Sequence, residues 1–230
     1  MKKETLLFLD TETTGLSEND RLIQLAYKNS KTGKIVNELY SPGMPIGFES
    51  MSVHHITEED VKNKPAFKGS KEFKELEELI KSGAIIVAHN AQFDIGMLER
   101  EGLKTDRFIC TKKVAIAADE KGELPSHRLQ YLRYFYKVQL DAQAHSADGD
   151  IAVLEKIYDR YAERFSIEEM LEISSNPSLI LRFPFGKHKD QLITDVAKED
   201  KSYLVWLQNE KKKESPKDED WLYTLEKALK

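Results

Sequence analysis

LFLDTETTG, residues 7–15, passes from a continuously apolar run into an acid, a hydroxyl, a second acid, two more hydroxyls and a glycine. Residues 5–10 have the length and composition of a buried strand. Side chains at i and i+2 share one face of a strand, so Asp10 and Glu12 emerge on the same side as the strand ends. Two unit charges ~4 Å apart repel by about 4 kcal/mol at an effective dielectric near 20. Either a cation or a proton offsets that repulsion, or the acids lie in a solvated turn and cap the next segment. This stretch alone leaves both readings open.

Working outward, residues 21–30 and 34–40 read as two more strands joined by the turn KTGK, an antiparallel ribbon at a sheet edge. Thr57, followed by Glu58, Glu59 and Asp60, marks a helix start, because a hydroxyl cap with acids in the first turn suits the helix dipole. Residues 73–83 place Phe73, Leu76, Leu79 and Ile80 at helical spacing, with Gly83 positioned to end the helix. Residues 84–90 form another buried strand. A helix over 93–102, a strand over 107–110, helices over 111–118 and 127–137 and a long helix from about 147 to 165 come next. Strands alternating with helices predict an α/β domain whose sheet is covered on both faces.

Ser166 and Glu169 form a capping-box pattern that opens a further short helix. The polar stretch SSNPS after it sets a domain boundary, dividing the chain into residues 1–174 and a small α+β module over 175–230. That module is built from residues 179–190, a helix over 193–199, the aromatic pair Tyr203 and Trp206, and a final helix over 218–230. Its size is near the lower limit of independent folding.

Hydrophobic residues make up 40% of the chain and charged ones 33%, with both signs interspersed, which excludes a disordered chain. No apolar run approaches the roughly 18–20 residues that span a bilayer, and the apolar stretch near the N-terminus is too short for a signal peptide. A cytoplasmic protein with no membrane partner is expected. The single cysteine, Cys110, excludes an internal disulfide, argues against cysteine-based zinc and reads as core. A net charge of −5 gives no global basic signature, so any binding to nucleic acid rests on local patches or bridging metal ions.

Two further stretches carry acids where strands and helices meet. HNAQFD, residues 89–94, comes after an apolar strand and opens a helix, with Asp94 in its first turn. Strand carboxyl ends are where α/β sheets place ligands; the plainer alternative is an acid favoured by the helix dipole. His89 and Asn90 read as hydrogen-bonding loop residues. In AHSADGD, residues 144–150, Asp150 faces the same way as Val153, Leu154 and Ile157, and an acid on an apolar stripe is costly unless paired or metal-bound. Asp148 lies off that stripe and reads as a solvent-facing acid, and His145 falls in the loop before the helix. Four carboxylates at the ends of adjacent elements, with one histidine and no cysteine, make an oxygen-rich donor set suited to Mg²⁺ or Mn²⁺.

In order and spacing these motifs resemble the DEDDh family of 3'-5' exonucleases. Asp10-Thr11-Glu12 matches the first motif, Asp94 the second, and His145-Ser146-Ala147-Asp148-Gly149-Asp150 the third, H-x-A-x-x-D. The resemblance spans residues 4–165 and includes VHHITEEDV, residues 53–61, similar to the segment joining the first two motifs in bacterial members. It implies a ribonuclease H-like fold, a mixed five-stranded sheet flanked by helices. It also implies two Mg²⁺ or Mn²⁺ ions held by Asp10, Glu12, Asp94 and Asp150, with His145 as general base for phosphodiester hydrolysis. Thr13, Thr14, Gly15 and Leu16 would lie against the terminal nucleotide, Leu16 and Phe93 on bases, and His54 or His55 near the 3' end, with Asn90 among the substrate contacts. The implied activity is removal of nucleotides from DNA 3' ends, single-stranded ends most readily. The alternatives are an exoribonuclease, or a proofreading or auxiliary subunit bound to a DNA polymerase or repair partner.

Residues 183–207 resemble a small segment at the C-terminus of exodeoxyribonuclease X-like proteins. There Lys187, His188 and Lys189, with Phe185 and Trp206, offer contacts to a nucleic acid backbone and its bases. Alternatively the aromatics form the module's core and the lysines are simply solvated.

Overall fold

The computed structural model describes residues 4–139, 147–214 and 217–230. His145, and with it the side chain of Asp148, lies outside the described residues. Strands β1 (Leu6–Thr13), β2 (Leu22–Asn29), β3 (Ile35–Leu39), β4 (Ile85–Ala88) and β5 (Phe108–Cys110) form one sheet in the order β3-β2-β1-β4-β5. β1 pairs antiparallel with β2, and β2 with β3; β1 with β4 and β4 with β5 pair in parallel. This is the mixed, ribonuclease H-like sheet expected, with the antiparallel ribbon on one side.

β1 departs from expectation in length. Its apolar run ends at Leu9, yet the strand continues to Thr13, with Asp10 opposite Ala26 and Glu12 opposite Gln24. The ladder to β2 is made by backbone groups and does not require apolar side chains, so the acids sit within the strand rather than beyond it. The register shifts between Glu12 and Thr13, a bulge of the kind that ends regular pairing beside a functional site.

Alternation along β1 and β4 feeds two separate cores. Leu7, Leu9, Ile86 and Ala88 pack with α3 (Lys71–Lys81) and α4 (Gln92–Glu101) on one face. Leu6, Phe8, Ile85 and Val87 pack on the other face with α5 (Thr111–Ala118), α6 (Leu129–Phe135), α7 (Ala147–Ala162) and α8 (Ile167–Ser175). Val153, Leu154 and Ile157 of α7 are fully buried there, and Lys28 of β2 pairs with Glu155 at 2.6 Å. Cys110 is buried as expected, and its N–H donates to the Ser174 hydroxyl. The capping box closes as read, with Glu169 accepting from the Ser166 N–H and hydroxyl. Helix α1 (Phe48–His54), before the short α2 (Glu58–Val61), escapes the sequence pattern because it buries no residue and so carries no apolar stripe.

Residues beyond α8 gather around a core of their own, formed by Phe183, Ile193, Val196, Leu204, Leu207, Trp221 and Leu225. The helices α9 (Ile193–Glu199), α10 (Lys201–Lys211) and α11 (Glu219–Leu229) supply it. The β part of the expected α+β module reduces, among the described residues, to a single antiparallel bridge between Arg182 and Leu192. No helix of the described residues is long and apolar enough to cross a membrane.

Candidate active site

β1 and β4 stop pairing at Phe8 and Val87. Past that point the Thr11 N–H has no β4 partner, and the Asp94 carboxylate from the first turn of α4 supplies one. Asp94 Oδ1 accepts from the Thr11 N–H at 3.0 Å and the Thr11 hydroxyl at 2.8 Å. Asp94 is thereby held, almost fully buried, at the end of the central strand. Asp10 and Glu12 project from the opposite face of β1, toward α7, where Asp150 lies one turn before the buried Val153 and Leu154. The side-chain amide of Gln130 on α6 donates to Asp150 Oδ1.

The electrostatics register the convergence of all four acids. Burial drives the Asp10 carboxyl well above its usual range, and the negative charges of Asp94, Glu12 and Asp150 push it further. Burial raises Glu12 to about 7, with Asp150 adding to the shift. Asp94 is raised to about 7 by burial against the opposing pull of the Thr11 hydrogen bonds. Asp10, Glu12 and Asp94 thus cost more to ionise in the folded chain than in water, as acids brought together in a partly dry site must. Among the described residues no three His, Cys, Asp or Glu side chains already stand around a common metal position.

The segment after Glu12 is held from inside. The Thr13 hydroxyl donates to the Gly15 carbonyl at 2.8 Å, and the Thr14 hydroxyl to Asp20 Oδ1 at 2.6 Å. A Cβ on Gly15 would fall 2.6–2.8 Å from the Asp20 carboxylate, so any side chain there would displace Asp20 from its bond to Thr14. Leu16 alone of this run faces outward, 84% exposed. Across a pocket of about 520 Å³ lined by Thr14, Gly15, Leu16 and Pro45 stands Phe48 at the start of α1, also 84% exposed.

His54 accepts at Nδ1 from the Ile56 N–H, which leaves Nε2 to donate to the Thr13 carbonyl at 3.2 Å. It braces the β1 terminus as a neutral ring, and burial lowers its pKa. His55 is exposed in a left-handed C-cap. Phe93 packs against the α4-side core, and Asn90 is exposed with φ +72° and its side chain 3.4 Å from Lys112 Nζ. His89 is a structural residue, as read. It bonds to the Thr111 hydroxyl and the His127 carbonyl, and burial brings its pKa down to about 4.

Sequence reasoning missed Thr11, Gln130 and Phe48. The only signal for Phe48 was a large apolar residue standing outside any apolar pattern; Thr11 and Gln130 carried none, because their partners are far away in sequence.

The chain is similar to known nucleases. Exodeoxyribonuclease 10 of Escherichia coli (strain K12) is 31% identical over 226 residues, covering 92% of this chain and 94% of that one. A DNA polymerase III PolC-type protein of Lacticaseibacillus paracasei is 34% identical over 152 residues, 61% of this chain and 10% of its own length. The solved structure of Exonuclease X in complex with 5' overhanging duplex DNA superposes with a TM-score of 0.55 at 27% identity, covering 74% of this chain and 99% of that one. The family model described as "Exonuclease" matches residues 7–158, a span that holds all four converging acids, and the chain belongs to that exonuclease family.

Proposed function

We propose that this chain is a divalent-metal-dependent 3'-5' exonuclease that removes nucleotides from DNA 3' ends, single-stranded ends first. The observation that carries the reading is Asp10, a half-buried carboxyl that shares one face of β1 with Glu12 and stands under the charges of Asp94, Glu12 and Asp150. Asp10, Glu12, Asp94 and Asp150 would hold two Mg²⁺ or Mn²⁺ ions; the donors are all carboxylate oxygens, which fits hard divalent cations. Such cations, when bound, lower the pKa of a water and neutralise charge on the scissile phosphate. Thr11 and Gln130 orient two of the four ligands, and His54 fixes the backbone at Thr13. The pocket between Leu16 and Phe48 takes the terminal nucleotide, Asn90 and Phe93 flank the same end of the sheet, and His145 accepts the proton of the attacking water.

The name of the E. coli relative supports DNA as the substrate. The match to a polymerase supports a second reading, a proofreading nuclease working with a DNA polymerase. The separate core beyond α8 supports a division of the chain after that helix, close to the expected boundary at 174/175. The deciding experiment tracks a 5'-labelled single strand. Mononucleotides should be released from its 3' end, EDTA should stop the release, Mg²⁺ or Mn²⁺ should restore it, and Asp10→Ala should abolish it. Degradation of RNA alone would overturn the DNA assignment, and wild-type turnover in Asp10→Ala would overturn the metal site. Copurification with a polymerase supports the second reading, and full activity of the isolated monomer counts against it.

A further inference from the structure

The turn FPFGKHKD, residues 183–190, is built around two inward side chains, Phe183 in the module's core and His188 beside it. His188 is buried, with Nδ1 2.7 Å from Gln191 Oε1 and Nε2 3.1 Å from Asp200 Oδ2, and its ring lies 4.8 Å from that of Tyr203. The sequence expectation that His188 touches nucleic acid is therefore corrected, because its ring is spent on holding the turn. Gly186 at φ +74° and Asp190 at φ +67° let the backbone curl tightly enough to put that ring inside. With His188 inward, Lys187 and Lys189 on either side are left exposed, Lys187 with its ammonium 2.8 Å from Asp200 Oδ2 and Lys189 pointing to solvent with no ion pair among the described residues.

Beside these lysines the module leaves large aromatics uncovered although it has a core in which to place them. Phe185 is 42% exposed and Trp206 53% exposed. Both rings are backed: Phe185 lies 5.5 Å from Trp221, and Trp206 lies 5.4 Å from Tyr203. The Tyr203 hydroxyl in turn closes on Gly186, 3.2 Å from where a Cβ would stand, so the aromatics and the lysine turn form one continuous face. Rigid, half-exposed rings interleaved with lysines match the chemistry of a single strand, whose bases stack and whose phosphates are anionic. Residues 176–230 carry 11 Lys and Arg against 10 Asp and Glu, a formal +1 in a chain of −5, so this end holds none of the net negative charge that would repel a polyanion.

The module is also tied to the catalytic side. Arg182 donates to the Gly122 carbonyl, the Gly122 N–H to the Asp119 carbonyl, and Asp119 meets His127, whose own carbonyl bonds His89 at the end of β4.

We propose that the face formed by Phe185, Lys187, Lys189, Tyr203 and Trp206 binds single-stranded nucleic acid, holding the strand whose 3' end is being shortened. The proposal rests on the exonuclease reading, and its test separates the two. Binding of a fluorescent 30-nucleotide oligo(dT) to the full chain is measured by anisotropy with EDTA present, so that no hydrolysis occurs. Phe185→Ala/Trp206→Ala should weaken it by roughly tenfold or more. Trp206→Phe should retain most of the affinity, and Lys189→Glu should reduce the salt dependence of binding by about one phosphate contact. Unchanged affinity in a double variant that melts like the wild type overturns the face, as does a wild-type chain that fails to bind. If the double variant unfolds, Lys189→Glu decides alone, and an unchanged salt slope overturns the face. Release of mononucleotides by the wild-type chain is scored separately, so an active enzyme with an inert face sinks only this proposal, and no activity sinks the reading beneath it. Capture of a protein by this face with no effect of these variants on oligo(dT) binding also overturns it.

Discussion

Thr11 grips Asp94 across 83 residues of sequence, with its backbone N–H and its hydroxyl both donating to the same carboxylate oxygen. One residue thus stays in the β1–β2 ladder, past the end of the β1–β4 pairing, and orients an acid of the site. Thr11→Val keeps the N–H bond and removes the hydroxyl one. A hydrogen bond to a charged group contributes roughly 1.5–3 kcal/mol, so melting at pH 8 in EDTA should fall by several degrees. Because that bond holds the Asp94 pKa down, the variant should also titrate Asp94 at a higher pH. A melting curve superimposable on the wild type would show that the hydroxyl holds nothing.

Asp94 itself gives a pH-dependent test in the metal-free chain. Its folded pKa of about 7 lies above the unfolded value near 4, so the folded state binds the extra proton between those limits. The stability this contributes is present below pH ~4 and is lost as pH rises through about 7. Asp94→Asn keeps the acceptor oxygen without the charge. It should melt near the wild type at pH 5 and above it at pH 8, by an amount on the order of 2–3 kcal/mol at most. Equal differences at both pH values would mean that Asp94 is not held as a costly ion. His89, neutral and buried, acts in the opposite sense, since stability is lost as pH falls from about 6.5 toward 4; it is common to both proteins and cancels in the comparison.

Gln130 should matter to metal binding more than to folding. Removing a residue that orients a ligand typically lowers metal affinity or activity by roughly 10–100-fold. Gln130→Ala is expected in that range by Mn²⁺ titration, with melting close to wild type. Gln130→Glu should be worse, since it sets a fifth carboxylate against Asp150. Undiminished Mn²⁺ affinity in both variants would detach Gln130 from the site.

Gly122 joins the catalytic side to the C-terminal module. Its φ of +63° strains any other residue, and a Cβ there would press on Leu181 Cβ at 3.0 Å, so alanine would have to push that neighbour aside. A left-handed non-glycine residue costs roughly 1–2 kcal/mol before any clash, so Gly122→Ala should melt several degrees lower and speed proteolysis near residues 176–182. Wild-type melting and cleavage together would show that the contact is not tight in solution.

Much of the site was legible because its acids obey local periodicities. A strand repeats every two residues, which pairs Asp10 with Glu12, and a helix every 3.6, which lines up Asp150 with Val153, Leu154 and Ile157. The same logic was silent on α1, which buries nothing, and on Asp20, whose carboxylate stands where a Gly15 side chain would be. It also placed His188 with its lysine neighbours, although the ring turns inward.

By itself the sequence determined the strand and helix faces, the position of each of the four acids on them and the isolation of Cys110 in the core, all matters of near-neighbour spacing. Only the tertiary structure decided that β1 runs on to Thr13, that Thr11 holds Asp94 and Gln130 holds Asp150, and which side chains of FGKHKD meet water. Those outcomes depend on backbone pairing and on polar groups brought together from distant parts of the chain, where a buried donor or acceptor must find a partner and no local pattern says which.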